Sequence, residues 1–248
     1  MPDGKTIPPP FMRENTVIQD AACSSDTVAM EAEGRIEVHC CGRDWILLRP
    51  ADLESLWDSM TDDEFTEDER LPYWVELWPA SLALSAWLEQ NKALLQGRCC
   101  LDLGCGLGLT ALVAQSFGAR TIGIDYELAA LKYAAKNALY NKVDSPLWAA
   151  MDWRFPAVRK HGADFIWGGD IMYERRFVLP VLDFMEYALK PDGRMWIAEP
   201  NRNVYGMFRH SLESRGWASR RVYQGTVQPL HVQKSLVTVS LWEISRKP

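Results

Sequence analysis

The sequence has no surplus of positive charge. Its 27 Lys and Arg residues are outnumbered by 33 Asp and Glu residues, which gives a formal net charge of −6. Proteins that bind nucleic acids usually present a basic surface to the phosphate backbone. The composition therefore disfavours a DNA or RNA partner.

Long apolar runs and paired metal ligands are missing as well. No stretch of 18 consecutive apolar residues occurs, so we expect no transmembrane helix. The N-terminus has no apolar segment of the signal-peptide type. The six cysteines form no C-x-x-C motif, and no histidine stands at zinc-binding spacing from them. We therefore expect free thiols, no metal site and a cytoplasmic protein.

The most informative stretch of the chain runs from Cys99 to Asp125. Its pattern predicts a buried strand, a glycine-rich turn, a helix that stops at Gly118 and a second strand that ends in Asp125. This is a β-loop-α-β unit. A carboxylate at the end of the second strand, about 20 residues after Gly104, is placed to accept hydrogen bonds from both hydroxyls of a ribose.

The glycine spacing in the turn distinguishes two kinds of nucleoside ligand. Dinucleotide sites use G-x-G-x-x-G and hold a pyrophosphate at a helix N-terminus. Here the spacing is G-x-G-x-G, and Asp102 precedes it. A carboxylate beside the loop repels a pyrophosphate and suits an ammonium or sulfonium group. We therefore predict S-adenosylmethionine, with a nicotinamide-dependent oxidoreductase and a purely structural turn as the alternatives.

The third predicted strand, residues 146–150, leads into Met151-Asp152-Trp153. At that position Asp152 can accept a hydrogen bond from an adenine amine, and Trp153 can stack on the ring. A plain loop acid is the alternative interpretation of Asp152.

The fourth predicted strand, residues 163–167, ends in Gly168-Gly169-Asp170-Ile171-Met172-Tyr173. The two glycines allow a ligand to approach the backbone closely. We expect Asp170 and Tyr173 to project towards the reacting centre.

A segment rich in aromatic residues and proline, residues 71–80, precedes the first core strand. Pro79 is suited to the first position of a helix that continues to about Glu89. This helix would place Trp78 as a lid over the glycine-rich loop. A core tryptophan is the alternative interpretation.

The remaining patterns divide the chain into three parts. Residues 1–33 predict a mobile arm, residues 34–94 a hairpin and helices that pack on the core, and residues 95–248 the core itself. The acidic run over residues 62–69 is either a solvated face or a docking surface for a basic protein segment. Further helices and strands are predicted over residues 51–60, 127–141, 176–189, 194–198, 204–215, 217–224 and 235–244, with a turn at residues 190–193.

Three motifs together resemble the seven-β-strand class I methyltransferases: Glu76-Leu77-Trp78-Pro79-Ala80, the run from Asp102 to Gly106, and Gly169-Asp170-Ile171-Met172-Tyr173. The last of these is similar to the D-x-x-Y signature of the protein-lysine methyltransferase branch, which includes the enzyme that methylates the electron-transfer flavoprotein β subunit. The resemblance implies a Rossmann-like, mostly parallel seven-stranded sheet with helices on both faces and an antiparallel C-terminal strand. It implies cofactor contacts from Trp78, Gly104, Cys105, Gly106, Asp125, Trp153 and Gly169, to which the charge and position arguments above add Asp102 and Asp152.

For the chemistry, the resemblance implies methyl transfer to a lysine of a protein substrate, with Asp170 and Tyr173 shaping the acceptor site. Two alternatives remain open. One is a small-molecule N- or O-methyltransferase, and the other is a non-catalytic protein that binds the nucleoside and acts through partners.

Overall fold

The computed structural model describes residues 34–51, 72–230 and 235–247. The predicted N-terminal arm, the predicted helix that follows Ala51 and the acidic run at residues 62–69 lie outside the described residues. Their interpretations therefore stay predictions.

Nine strands and six α-helices are described, with short 3-10 turns at Tyr73–Val75 and Arg175–Phe177. The strands are β1 (Gly34–Cys40), β2 (Arg43–Arg49), β3 (Cys99–Leu103), β4 (Arg120–Asp125), β5 (Leu147–Ala150), β6 (Ala163–Gly169), β7 (Leu189–Glu199), β8 (Trp217–Val227) and β9 (Val237–Arg246). The helices are α1 (Pro79–Gln90), α2 (Lys92–Leu95), α3 (Leu109–Ser116), α4 (Leu128–Tyr140), α5 (Val178–Ala188) and α6 (Asn203–Ser214).

Seven of the strands form one sheet in the order β5-β4-β3-β6-β7-β9-β8. The strands from β5 to β7 pair in parallel, and β9 runs antiparallel to both of its neighbours. This confirms the predicted sheet and its antiparallel C-terminal strand. The chain builds the sheet outward from β3 in one direction and from β6 in the other, so the strand order reverses between them. Open α/β sheets bind ligands at the carboxyl ends of the strands beside such a reversal.

The sheet separates two buried clusters, as a sheet covered by helices on both faces requires. One cluster contains Leu84 of α1, Leu112 of α3 and Trp196 of β7. The other contains Ile166 of β6 and Phe184 of α5. None of the described helices combines the length and the apolar character that a membrane span needs.

The predicted turn at residues 190–193 is wrong as a boundary between two elements. The whole stretch belongs to β7, whose pairing with β6 jumps from Ala163↔Leu189 to Phe165↔Arg194. The Pro and Gly of this stretch therefore accommodate an irregularity within the strand, a role that such residues commonly have. The helix predicted over residues 176–189 begins at Val178, after the 3-10 turn, with Pro180 in its first turn.

Strands β1 and β2 form the predicted antiparallel hairpin, with Gly34 opposite Arg49 and Cys40 opposite Arg43. Its inner side chains, Ile36, Trp45 and Leu47, are almost fully buried in the cluster that also contains α1 and α3. The hairpin is therefore packed on the core.

Candidate functional site

A cleft with a volume of about 280 Å³ lies at the carboxyl ends of β3, β4, β5 and β6. It brings together residues that are far apart in the sequence. Its lining includes Trp78, Gly104, Cys105, Gly106, Asp125, Asp152, Trp153, Gly169, Asp170 and Tyr173. Every predicted site residue except Asp102 therefore faces one cavity.

The glycine-rich loop between β3 and α3 is held in a conformation that side chains would disturb. Gly104 and Gly106 have φ values of +63° and +51°, in the left-handed region. A Cβ on Gly106 would lie 3.2 Å from the carbonyl oxygen of Trp74, and one on Gly104 would lie 2.9 Å from Cγ2 of Ile171. The glycines thus allow both the backbone turn and the close approach of neighbouring segments.

Asp125 joins the tip of β4 to this loop. One carboxylate oxygen accepts the N–H of Gly106 at 2.8 Å, and the other accepts the N–H of Glu127 at 3.0 Å. Burial raises the pKa of Asp125 to about 6, although both N–H donors act in the opposite direction. The carboxylate still lines the cleft, where its remaining lone pairs can accept ligand hydroxyls.

Asp102 lies below the loop and not in the cleft. Its side chain is 1% exposed and accepts the hydroxyl of Thr110 at 2.5 Å. Burial raises its pKa to about 7, and the nearby charge of Asp125 adds to the shift. This position suits support of the loop from beneath, while direct contact of Asp102 with a ligand stays a prediction.

Asp152 and Trp153 occupy the wall that β5 leads into. Arg154 hydrogen-bonds to both oxygens of the Asp152 carboxylate, at 2.8 to 3.1 Å, and holds its pKa below the ordinary value. The Trp153 ring meets the Phe177 ring edge-on, with 5.7 Å between the centroids. The carboxylate is thus oriented by an arginine, a contact that the sequence argument did not include.

Five aromatic rings follow one another along the cleft, and we call them the aromatic row: Trp78, Tyr73, Tyr173, Phe177 and Trp153. Successive ring centroids are 6.0, 5.7, 4.9 and 5.7 Å apart, all with edge-on geometry. The indole N–H of Trp78 also donates to the carbonyl of Tyr73 at 2.9 Å. Burial raises the pKa of Tyr173 to about 12, so this ring carries a neutral phenol.

Asp170 sits at the tip of β6 in an unusual conformation, with a φ of +56°. Its N–H donates to the carbonyl of Ala198 in β7 at 2.8 Å, and Arg202 forms two hydrogen bonds to its carboxylate. Burial raises the pKa of Asp170, and the bonds from Arg202 oppose that shift. A non-glycine residue in the left-handed region is uncommon and often marks a functional position.

Gly169, the residue before Asp170, allows the tip of β6 to touch α1. A Cβ at this position would lie 2.8 Å from the hydroxyl of Ser81. This close contact brings Trp78, at the start of α1, and Asp170 to the same cleft.

Sequence reasoning assigned no role to several residues at the site. Tyr73 and Phe177 complete the aromatic row, and Glu76 and Arg154 line the cleft. Arg202 follows β7, the fifth parallel strand. Its position just after the carboxyl end of that strand could have indicated a place at the site.

Comparison with known proteins finds two curated relatives and a solved structure with a similar fold. The chain is 29% identical over 133 residues to the electron transfer flavoprotein beta subunit lysine methyltransferase of Danio rerio, covering 53% of this chain and 51% of that protein. It is 41% identical over 68 residues to the ribosomal protein L11 methyltransferase of Cupriavidus necator, covering 27% and 22% of the two chains. The fold is similar to that of TYW2 from Pyrococcus horikoshii in complex with MeSAdo, with a TM-score of 0.53, 16% identity and coverage of 86% and 72%.

These matches differ in extent. The chain spans about half or less of the length of the two curated relatives, and the structural likeness concerns the fold alone. A sequence model of the methyltransferase domain, in contrast, matches residues 78–238, which is more than half of the chain and contains every predicted site residue. The chain therefore belongs to the methyltransferase domain family.

Proposed function

We propose that this protein is a methyltransferase that uses S-adenosylmethionine and methylates a lysine side chain of a protein. One observation carries the proposal: two sets of residues meet in one cleft, and we assign the first half of the cleft to nucleoside binding and the second half to the methyl acceptor. We assign Asp125, the glycine-rich loop and the two tryptophans of the aromatic row to the first half, and Asp170 with the other three rings of the row to the second. Membership of the methyltransferase domain family supports the reaction class.

The residues of the first half fit the chemical groups of this cofactor. A carboxylate at the tip of β4, hydrogen-bonded to the loop through Gly106, offers acceptors to the two ribose hydroxyls. Trp153 offers a ring on which an adenine can stack. Asp125 also lines the cleft, and its negative charge suits the cationic amino and sulfonium groups better than a pyrophosphate.

The second half fits an amine acceptor. When bound, the cofactor supplies a methyl group on a sulfonium that is already electrophilic, so the protein must align the acceptor and exclude water. A free lysine has a pKa of about 10.4 and is charged at neutral pH. The apolar faces of the aromatic row disfavour the ammonium form and so lower that pKa.

Asp170 is the residue that we expect to orient the amine through a hydrogen bond. Its carboxylate is already paired with Arg202, so its negative charge is partly balanced. A lone carboxylate would hold the amine in its charged form, which cannot attack a methyl group. The paired carboxylate can still accept a hydrogen bond from the amine, but it attracts the ammonium form less strongly than a lone carboxylate would. Tyr173 forms the wall of the channel.

A protein substrate is supported by the relatives. The two curated relatives named above are methyltransferases of proteins by their names, and one of them is a lysine methyltransferase. The acidic run at residues 62–69 would suit a basic protein segment. A small-molecule acceptor and a non-catalytic nucleoside-binding protein are the competing outcomes of the experiment below.

The first experiment is a calorimetric titration of the purified protein with S-adenosylmethionine and, separately, with NADH. We expect micromolar binding of S-adenosylmethionine and no binding of NADH. Binding of NADH alone would overturn the methyltransferase proposal. Binding of neither would also contradict it, and would indicate a degenerate site in a protein that acts through partners without catalysis.

The second experiment identifies the class of acceptor. The protein is incubated with cell extract and S-adenosylmethionine labelled on the methyl group, and the Asp125→Ala variant serves as the matched control. We expect the label in a protein band, on lysine after hydrolysis. Label in the small-molecule fraction would support the other methyltransferase class.

A further inference from the structure

The outer edge of the hairpin is bonded to α4 by two asparagine side chains. The amide of Asn137 accepts the N–H of Leu48 at 2.7 Å and donates to the carbonyl of Leu48 at 3.3 Å. The amide of Asn141 does the same for Ile46, at 2.9 and 2.7 Å. Each asparagine side chain thus forms hydrogen bonds with both the N–H and the carbonyl of one residue of β2, as a neighbouring strand would.

The spacing of the two elements explains why this pairing works. Two residues along a strand advance by about 6.6 Å, and four residues along a helix advance by about 6 Å. Ile46 and Leu48 are two residues apart on β2, and Asn137 and Asn141 are four residues apart on α4. One face of the helix therefore matches one edge of the strand.

The two asparagines differ in one further hydrogen bond. Asn137 also donates to the carbonyl of Leu107 at 3.0 Å, whereas Asn141 donates to the carbonyl of Asn137 at 2.8 Å. Leu107 belongs to the glycine-rich loop and lines the cleft. The Asn137 side chain is fully buried and uses its amide hydrogens on β2 and on the loop.

A second link between hairpin and cleft runs through Arg49 at the end of β2. Its guanidinium pairs with the carboxylate of Glu76, and both residues are buried. Glu76 lines the cleft, as Leu107 does. The hairpin thus reaches the cleft at two separate points.

We propose that Asn137 is a positioning residue for S-adenosylmethionine, which it serves by fixing the glycine-rich loop against the N-terminal hairpin. Loops with several glycines lose much conformational freedom when they become ordered, and binding then becomes weaker. A buried amide that ties the loop to a packed hairpin removes that freedom before the ligand arrives. The proposal rests on the proposed function for the identity of the ligand.

Asn137→Ala and Asn141→Ala form a matched pair for the test. Each variant loses both hydrogen bonds to one residue of β2, and only Asn137→Ala loses the bond to the loop. We expect similar decreases in melting temperature. For S-adenosylmethionine, measured by calorimetry well below the melting temperatures, we expect Asn137→Ala to raise the Kd tenfold or more and Asn141→Ala to change it less than threefold.

The outcomes separate this proposal from the proposed function. A wild-type protein that does not bind S-adenosylmethionine would overturn both. Wild-type binding with an unchanged Kd in Asn137→Ala, or with equal losses in the two variants, would overturn the positioning role alone.

Hydrogen exchange of the wild-type protein provides a test that does not depend on the folding of a variant. Coupling between two sites is reciprocal, so a ligand that needs the ordered loop must also stabilise the hairpin edge. We expect S-adenosylmethionine to slow local exchange of the Leu48 amide more than that of amides in the β8–β9 pair. An equal effect on both sets of amides would contradict the proposal.

Discussion

Arg202 holds Asp170 through two parallel hydrogen bonds, with Nε 2.6 Å from Oδ1 and Nη2 2.8 Å from Oδ2. The backbone N–H of Arg202 also donates to Glu199 at 2.7 Å, and the indole of Trp242 donates to the same carboxyl group at 3.1 Å. The tips of β6 and β7 are thereby joined to each other and to the side of β9. The Asp170 carboxylate, which lines the cleft, is therefore oriented by a planar cation.

Replacement of Arg202 should change the pH dependence of catalysis. In Arg202→Met the Asp170 carboxylate loses its balancing charge and stabilises the ammonium form of the acceptor, so the pKa of the acceptor amine rises. We expect kcat at pH 7 to fall at least tenfold and the pH optimum to move upward. Arg202→Lys keeps the positive charge but cannot form both parallel hydrogen bonds. We expect its kcat and its pH optimum to lie between those of the wild type and those of Arg202→Met. The measurement is a pH–rate profile with saturating cofactor.

The matching control is Asp170→Ala, which removes the carboxylate itself. We expect this variant to retain cofactor affinity within about twofold and to lose turnover by orders of magnitude, without recovery at high pH. A uniform loss in Arg202→Met at every pH would contradict the charge-balance argument, and near-normal turnover in Asp170→Ala would remove the role assigned to that residue.

Cofactor affinity should fall as the pH falls through about 6. Asp125 can accept two ribose hydroxyls only as a carboxylate, and burial raises its pKa to about 6. Below that value, protonation competes with binding, and the Kd should rise about tenfold for each pH unit. Asp125→Asn should bind weakly with little change between pH 5 and 7. Calorimetry over this range is the measurement, and a flat wild-type profile would contradict the ribose assignment.

Asp102 should make the fold less stable as the pH rises. Its pKa is about 7 in the folded protein, against 3.8 for an unperturbed aspartic acid side chain, so the folded state binds more protons between these values. The contribution of Asp102 to the free energy of unfolding therefore decreases from pH 4 to pH 7 and levels off above pH 7. The contribution between pH 5 and pH 8 is on the order of 2 to 3 kcal/mol.

The neutral variant Asp102→Asn tests this sign. The side chain of the variant can still accept the hydrogen bond from Thr110. Any loss of stability from the substitution itself should therefore be the same at every pH. Urea unfolding at pH 5, 6, 7 and 8 should show the variant gaining stability relative to the wild type as the pH rises. Parallel curves for the two proteins would show that Asp102 titrates at its ordinary pKa.

Replacement of Gly106 by alanine should weaken cofactor binding more than replacement of Gly118. Both glycines have positive φ values, +51° and +83°, so alanine costs about 1 to 2 kcal/mol of stability at either site. Only at Gly106 would the new Cβ meet backbone, 3.2 Å from the carbonyl of Trp74. We expect Gly106→Ala to weaken cofactor binding at least fivefold and Gly118→Ala to leave it unchanged. Equal affinities would show that the Trp74 contact is dispensable.

The sequence predicted the core of the fold because local patterns repeat there without ambiguity. The run from Cys99 to Asp125 predicted a strand, loop, helix and strand, and the structure has them with boundaries changed by one or two residues. The predicted turn at residues 190–193 failed because Pro and Gly also occur at irregularities inside strands. A short window of sequence cannot distinguish a turn from a bulge, since pairing with β6 decides between them.

The candidate site could be predicted where one rule applied, namely that parallel strands present their carboxyl ends at a common edge. That rule indicated Asp125, Asp152, Trp153 and Asp170, and all four line the cleft. Their predicted roles in binding and catalysis await the experiments above. The rule gave no information about which neighbours each side chain would meet, so the Arg154 and Arg202 contacts were not expected.

By itself, the sequence determined the order of strands and helices, the glycine-rich turn and the acid that closes β4, because each depends on periodicity or on residues close together in the chain. Only the tertiary structure decided that Asp102 lies beneath the loop, that Arg202 pairs with Asp170 and that Asn137 joins the hairpin to Leu107. These relationships connect residues 8, 32 and 30 positions apart. Such contacts follow from sheet order and helix packing, which the whole chain determines together.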